Sequence, residues 1–378
     1  MIEVSIVRCN SYDDAEFGVK KSLKLIGGMD SFIKPHDKVL LKPNLLTSKP
    51  PEKAITTHPK IMEAVISIVK KAGGEVIVGD SAGGRGLTEA AYEVSGIKKV
   101  VEELGAKWIN FDLAGTHTLK IPNGKVLKEI PIAKPVMDAD FVISLPKLKT
   151  HALTLYTGAI KNMYGAIPGG NKSLIHALTK SSERFSEALI DLYSVVPMHL
   201  SVMDGVVGME GLGPHMGNPK KSNVIIASTD SLALDAVSSA IMGFTPSEIP
   251  MLRFAKERRR GTIDLAKITI LGESIENVKI QFKKPYRLHK GLMFLPGVIR
   301  NRFVETPRLP YPVKRKCNEC KICEENCPVT AIKISGGPIF DYDKCIRCYV
   351  CHELCPEGGI KLKKSLLQRN LFRTVTKR

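Results

Sequence analysis

Eight of the nine cysteines in this 378-residue chain fall between Cys317 and Cys355. Cys317, Cys320, Cys323 and Cys327 form C-x2-C-x2-C-x3-C ahead of Pro328, and Cys345, Cys348, Cys351 and Cys355 repeat the run ahead of Pro356. Iron in cubane clusters is held by four soft thiolates, and two short x2 loops can deliver three of them to one cube. In this spacing the fourth cysteine of each run ligates the other cluster. Two [4Fe-4S] clusters are therefore expected, one on Cys317, Cys320, Cys323 and Cys355, the other on Cys345, Cys348, Cys351 and Cys327. Disulfides would need an oxidising compartment, whereas MIEVSIVRC, with its early Glu3, reads as a strand and not as a secretory leader. Paired zinc sites usually set two-cysteine knuckles farther apart. Cys9, alone in the first strand, reads as a buried structural thiol.

A second set of residues could do chemistry of another kind. LPKLKTHALTLYTGAIKN, residues 145–162, carries Lys147, Lys149, His151 and Lys161, and no Asp or Glu occurs between Asp140 and Glu183. Side chains alternate along an extended segment, so 147, 149 and 151 share one face. These cations face either an anionic ligand (a phosphate, a carboxylate or a nearby reduced cluster) or carboxylates from elsewhere in the fold. In open α/β sheets ligands bind beyond the carboxyl ends of the strands. The predicted strand ends offer Lys42 and Asn44, Asp80 and Ser81, Lys147, Lys149, Thr150 and His151, and Asp204. Each alone suits a helix cap or surface pair; their convergence on one edge points to a pocket. There Lys147 or Lys149 would stabilise developing negative charge, and His151 or Asp80 would move protons. Lys42, Asn44, Ser81, Lys161, Asn162 and Asp204 would bind the ligand.

The elements that must position these residues follow from periodicity. Residues 1–273 alternate apolar runs with amphipathic stretches, the pattern of a mainly parallel or mixed sheet flanked by helices. Strands are predicted at 3–8, 38–45, 75–80, 107–111, 141–146, 199–205, 222–228 and 267–271. Helices are predicted at 13–26, 59–73, 87–105, 182–195, 231–242 and 249–260. Asn123-Gly124, between alternating residues, signals a type I′ hairpin. The GDSAGGRG loop suits either an anion at a helix N-terminus or a tight turn, without matching a known phosphate-loop pattern. GMEGLGPHMG, residues 208–217, is a mobile cover or a long turn. His58 suits proton transfer or a structural role, and Asp235 a salt bridge or a turn toward the pocket. The division expected is a large α/β domain at 1–280, a basic proline-containing arm at 281–314, a small α+β cysteine module at 315–360 and a basic tail at 361–378.

The net charge is +18, and its excess flanks that module: residues 281–316 hold ten Lys/Arg and one Glu, and residues 361–378 hold seven Lys/Arg and no acid. An acidic redox partner is the expected counterpart, with peripheral contact to an anionic membrane surface or a phosphate backbone as alternatives. No nucleic-acid-binding fold accompanies the basic segments, so nucleic acid is not the expected partner. GLMFLPGVIRNRF in the arm and SLLQRNLFRTV in the tail are apolar stretches that would pack on the large domain or meet a membrane or partner. The longest apolar run, 291–299, falls short of the roughly 20 residues a membrane span needs. The protein is expected to be cytoplasmic.

The cysteine module resembles a two-cluster bacterial ferredoxin domain. KPN at 42–44, GDS at 79–81, the 145–162 stretch and MDG before a glycine-rich loop resemble the domain of unknown function 362 family, whose members are often fused to such a C-terminal domain. The resemblance implies this fold and these candidate residues, but no reaction. The functional expectation is an iron–sulfur oxidoreductase or electron-transfer protein that delivers single electrons to an anionic small-molecule ligand. The alternatives are a carrier or adaptor whose large domain binds a partner, and an iron–sulfur nucleic-acid-binding protein. No organic cofactor is identifiable.

Overall fold

A computed structural model describes residues 1–285 and 308–363. Most of the basic arm and tail, with the two apolar stretches assigned to them, lies outside the described residues. The large part of the chain is built on a ten-stranded mixed sheet. Its main path runs Thr269–Gly272, Glu3–Arg8, Asn218–Ser228, Leu200–Glu210, Phe141–Ser144, Lys38–Lys42, Glu75–Asp80 and Lys107–Asn110. From Leu200–Glu210 through Lys107–Asn110 every pairing on this path is parallel. The other half mixes antiparallel and parallel pairs.

Alternation along the central strands explains the layering. Val39 and Leu41 feed one core, with helices Ala15–Leu25, Pro59–Lys71 and Ile97–Glu103, while Leu40 feeds the other. That second core takes Ser182–Tyr193, Ser231–Ile241 and Pro250–Glu257. A parallel sheet buried on both faces needs such cover, because its βαβ crossovers place helices there. Pro59–Lys71 shows local agreement too: Pro59 occupies the first turn, His58 Nδ1 accepts from the Lys60 N–H, and Lys70 and Lys71 close the helix at its negative end.

Three expectations are corrected. The 87–105 helix is two, Thr88–Val94 and Ile97–Glu103, because Gly96 at φ +76° turns the chain between them. Thr116–Lys120 and Glu129–Ala133 do form an antiparallel hairpin, but Asn123-Gly124 is not a two-residue I′ turn. Neither residue has positive φ; the loop spans 121–128, and the Asp191 carboxylate accepts the Lys125, Val126 and Leu127 N–H groups. Finally, residues 208–210 belong to the long Leu200–Glu210 strand, so GMEGLGPHMG reduces to a connection at 211–217. Thr150 Oγ1 and the Ala152 N–H pin that connection at Gly211 and Gly213.

The cysteine module folds around two short helices, Ile322–Glu325 and Val350–Leu354, and the antiparallel pair Ile332–Ile334 and Pro338–Phe340. Its second pair joins Leu309–Pro312, from the end of the arm, to Ile360–Lys363. Among the described residues no helix is long and apolar enough to cross a membrane.

Candidate functional site

The parallel strands deliver their terminal residues to one edge, as a parallel sheet must. At the end of Lys38–Lys42, the Lys42 ammonium lies 2.7 Å from the Asp80 carboxylate, both buried. Asp80 also accepts the N–H groups of Leu45 and Ser81. Burial pushes Lys42 below the usual lysine range, and the Asp80 contact opposes it. Gly165 covers this pair, and a Cβ there would strike both the carboxylate and the ammonium.

One strand over, the Lys147 ammonium donates to Asp204 at 2.8 Å and to the Tyr12 hydroxyl at 2.7 Å. Tyr12 donates to the other Asp204 oxygen, and the His58 N–H completes the set. Tyr12 and His58 are stacked with ring centroids 3.5 Å apart. His58, pushed down to about 4 by burial, is thus a helix cap and a stacking partner. Cys9, buried beside this network, is pushed up to about 11 by desolvation. Ser81 is engaged as well: its hydroxyl donates to Asp112 and receives Lys172.

Farther along, Lys147–His151 is itself a strand, parallel to Leu200–Glu210 and antiparallel to Leu155–Thr157. Lys149 donates to Asn44 Oδ1 at 2.5 Å and to the Ile55 carbonyl at 2.7 Å. Burial, then the nearby Lys161 and Lys147 charges, push it well below the usual range. His151 Nε2 approaches Glu353 Oε1 of the cysteine module to 3.7 Å, beyond hydrogen-bond reach. Lys161 projects from the short helix Ala159–Asn162 with its ammonium 5.7 Å and 5.8 Å from the ring centroids of Tyr164 and Phe185. Asn162 donates to the Lys42 carbonyl and to Ser144, tying the same helix to the strand ends.

Asp235 orients that helix. Its carboxylate accepts the N–H groups of Ala159 and Ile160 and the Tyr156 hydroxyl, and burial raises it to about 7. The approach is so close that a Cβ on Gly158 would collide with it. The candidates thus divide into two groups. Lys42 closes on Asp80 and Lys147 on Asp204, with Asn162 tied to the same strand ends, whereas Lys149, His151 and Lys161 lie toward Glu353 of the module.

The module docks on this carboxyl edge. GDSAGGRG is its seat: the Arg85 N–H donates to Asn326 Oδ1 at 2.8 Å, and Leu354 lies over Gly83 and Gly84, which leave room for it. Tyr349 and Leu362 pack on Ala152, and Met216 meets Gly358. A cleft of about 360 Å³ remains between Arg85, Asn171, Ser173, Asn326 and Cys327. Sequence reasoning missed Glu353, Tyr164 and His176, which the fold brings near Lys161; the one signal available was Glu353, a carboxylate between Cys351 and Cys355.

Within the module burial pushes the Cys348 thiol up to about 12 and the Cys351 thiol well above the usual thiol range, so a thiolate at either position needs a nearby positive charge. Cys317, Cys320, Cys323 and Cys355 line one common cavity. Cys348 and Cys345 have Cys327 as an electrostatic neighbour. The crossed ligand sets would draw on these two groupings of thiols.

A family profile described as Domain of unknown function (DUF362) matches residues 39–240, and one described as 4Fe-4S binding domain matches residues 338–361. The chain is 34% identical over 304 residues to the "Thylakoid-associated protein sll1697" of Synechocystis sp., covering 79% of this chain and 93% of the relative. Among solved structures, the lactate racemase apoprotein from Thermoanaerobacterium thermosaccharolyticum aligns with a TM-score of 0.42 and 13% identity, over 64% of this chain and 57% of that one. A Thermotoga maritima crystal structure aligns with a TM-score of 0.37 and 12% identity, over 60% of this chain and 57% of that one.

Proposed function

The chain belongs to the domain of unknown function 362 family and carries a 4Fe-4S binding domain, and on that premise we propose that it delivers single electrons to an anionic ligand held where the module meets the sheet. When bound, two [4Fe-4S] clusters in the crossed ligand sets supply one-electron carriage. The observation that supports this reading is the docking of Leu354, Asn326 and Glu353 on the carboxyl edge, beside Lys149, His151 and Lys161. Lys149 and Lys161 offset the negative charge that accompanies each electron, which is worth most in a water-poor site. His151, at the same place, carries a proton to or from the ligand.

The test is anaerobic reconstitution followed by turnover with a reduced viologen as one-electron donor and small carboxylates and oxyanions as acceptors. About eight irons and eight sulfides per chain are expected. Cys327→Ser should damage the cluster held by Cys345, Cys348 and Cys351 and spare the other; the reverse pattern would overturn the crossed assignment. Acceptor reduction should fall in Lys149→Ala and His151→Ala. If both variants pass electrons to an acceptor protein at the wild-type rate, the protein is a carrier and the large part binds a partner.

A second reading concerns the basic segments. An acidic redox partner complements their charge, while the name of the Synechocystis relative favours an anionic membrane surface. Co-sedimentation with anionic but not zwitterionic vesicles, lost in high salt, would select the membrane.

A further inference from the structure

Four lysines are buried around the sheet's carboxyl edge and end on oxygen, and a fifth, Lys161, is half-buried beside them. Lys42 meets Asp80 and the Pro43 carbonyl, Lys147 meets Asp204 and Tyr12, Lys149 meets Asn44 and Ile55, and Lys172 meets Ser81 and Ala82. Lys161 differs: among the described residues its ammonium has aromatic faces beside it and no hydrogen-bond acceptor. Lys161 is half-buried, and an ammonium partly withdrawn from water with no acceptor carries a desolvation cost that something else must offset.

The neighbouring groups repeat the pattern. The antiparallel register sets Thr157 directly opposite Lys149, which puts both side chains on one face. Thr157 Oγ1 is buried with no partner, and so is His151 Nε2, two residues along the same face. Lys149, Lys161, His151 and His176 act on one another electrostatically, with Glu353 as the acid among them. Glu353 Oε1 is buried without a hydrogen bond as well, 3.7 Å from His151 Nε2, so two lysines and two unpartnered donors converge on a single carboxylate.

We propose that Lys161, Thr157 and His151 are the recognition groups of a small-oxyanion site, for a ligand of carboxylate or phosphate type, enclosed between Leu155–Thr157, Ala159–Asn162 and the helix that carries Glu353. The inference rests on the reading that an anion is held at this junction, and adds which groups hold it. Lys161 supplies the charge-assisted hydrogen bond, Thr157 and His151 supply neutral ones, and Lys149 adds field from behind. Tyr164 and Phe185, both buried, flank the Lys161 ammonium. Its distance class from Cys348, which acts electrostatically on both Tyr164 and Glu353, puts it beside the second cysteine set.

The experiment is calorimetric titration of the reconstituted, oxidised holoprotein with acetate and, separately, inorganic phosphate, in a chloride-free non-coordinating buffer. Saturable binding of one of them is expected, weakened roughly tenfold to a hundredfold in Lys161→Met, the range for a charge-assisted hydrogen bond. Thr157→Val, nearly isosteric, should weaken it severalfold with iron and sulfide content unchanged, and Lys71→Met, an exposed control, should not alter it. Which probe saturates separates the carboxylate from the phosphate source. No saturable binding of either, or binding that Lys161→Met leaves intact, would overturn the site. So would a Lys161→Met effect confined to the potential of the second cluster, since the cluster would then be the anion these cations face. Binding of a probe that leaves the spectrum of the reduced clusters unchanged and receives no electrons would keep the site and remove the electron-delivery reading. Clusters that reduce an acceptor in a protein binding neither probe would do the opposite.

Discussion

Lys147 and Lys161 stand on the same acid-free stretch and reach opposite electrostatic ends. Lys147 is fully buried in a closed set, with Asp204 at 2.8 Å and Tyr12 at 2.7 Å, and Asp204 is itself held by Tyr12 and the His58 N–H. Lys161 faces two aromatic rings and has no such acceptor among the described residues. The difference teaches how to separate a structural charge from one kept for a ligand. A charge whose partners are all supplied by the fold secures the fold, and breaking its set leaves a buried, uncompensated partner. A charge whose partners are missing costs stability on its own, so removing it should cost little. The first group, Lys42, Asp80, Lys147 and Asp204, aligns the strand ends; the second, around Lys161, His151 and Thr157, is what those ends present to the module.

The largest effect is expected from the closed set. Lys147→Met should destabilise the holoprotein by about 3–5 kcal/mol, because Asp204 stays buried without its cation. Urea unfolding followed by far-UV circular dichroism would measure it, and a loss below about 1 kcal/mol would erase the distinction drawn above.

Asp235, which holds the Lys161 helix from the core side, should give a pH signature. Its carboxyl is raised from 3.8 to about 7 by burial, so between those values the folded chain binds the extra proton. Its contribution to stability is therefore present at low pH and is lost as pH rises through about 7. At about 1.4 kcal/mol per unit, the difference between wild type and Asp235→Asn should shift by roughly 2 kcal/mol between pH 5.5 and 7.5. Parallel unfolding curves at both pH values would show that the three hydrogen bonds it accepts keep Asp235 charged throughout.

The smallest effect belongs to Lys161. Lys161→Met should change stability by less than about 1 kcal/mol, since the contact with Tyr164 and Phe185 and a longer-range attraction to Glu353 are offset by relief of the ammonium's own desolvation. A loss as large as that of Lys147→Met would mean that the ammonium is structurally paired and would dissolve the comparison.

Much of this was readable along the chain. Glu3–Arg8 and Glu75–Asp80 stand where alternation and apolar runs predict them, because strand and helix periods are local properties. Periodicity continues across Gly96 and so predicts one helix over 87–105, whereas the backbone makes a left-handed turn there. The Asn123-Gly124 turn was overridden by Asp191, a residue distant in sequence whose carboxylate gathers three loop amides. The face shared by residues 147, 149 and 151 was visible, but not that 147 would find Asp204 and 151 would find Glu353.

The sequence by itself determined the cysteine spacing, the layered α/β pattern and the supply of cations without nearby acids, since each is a matter of residue type at a fixed separation. Only the tertiary structure decided which cation is neutralised. Lys147 meets Asp204 because the Leu200–Glu210 strand lies beside Phe141–Ser144 and Lys147–His151 in the sheet, and Glu353 comes to 3.7 Å from His151 because the module seats on GDSAGGRG. Coulomb attraction inside a protein weakens with distance, and the few ångströms at which an ion pair closes are set by strand order and domain docking, which no local pattern encodes.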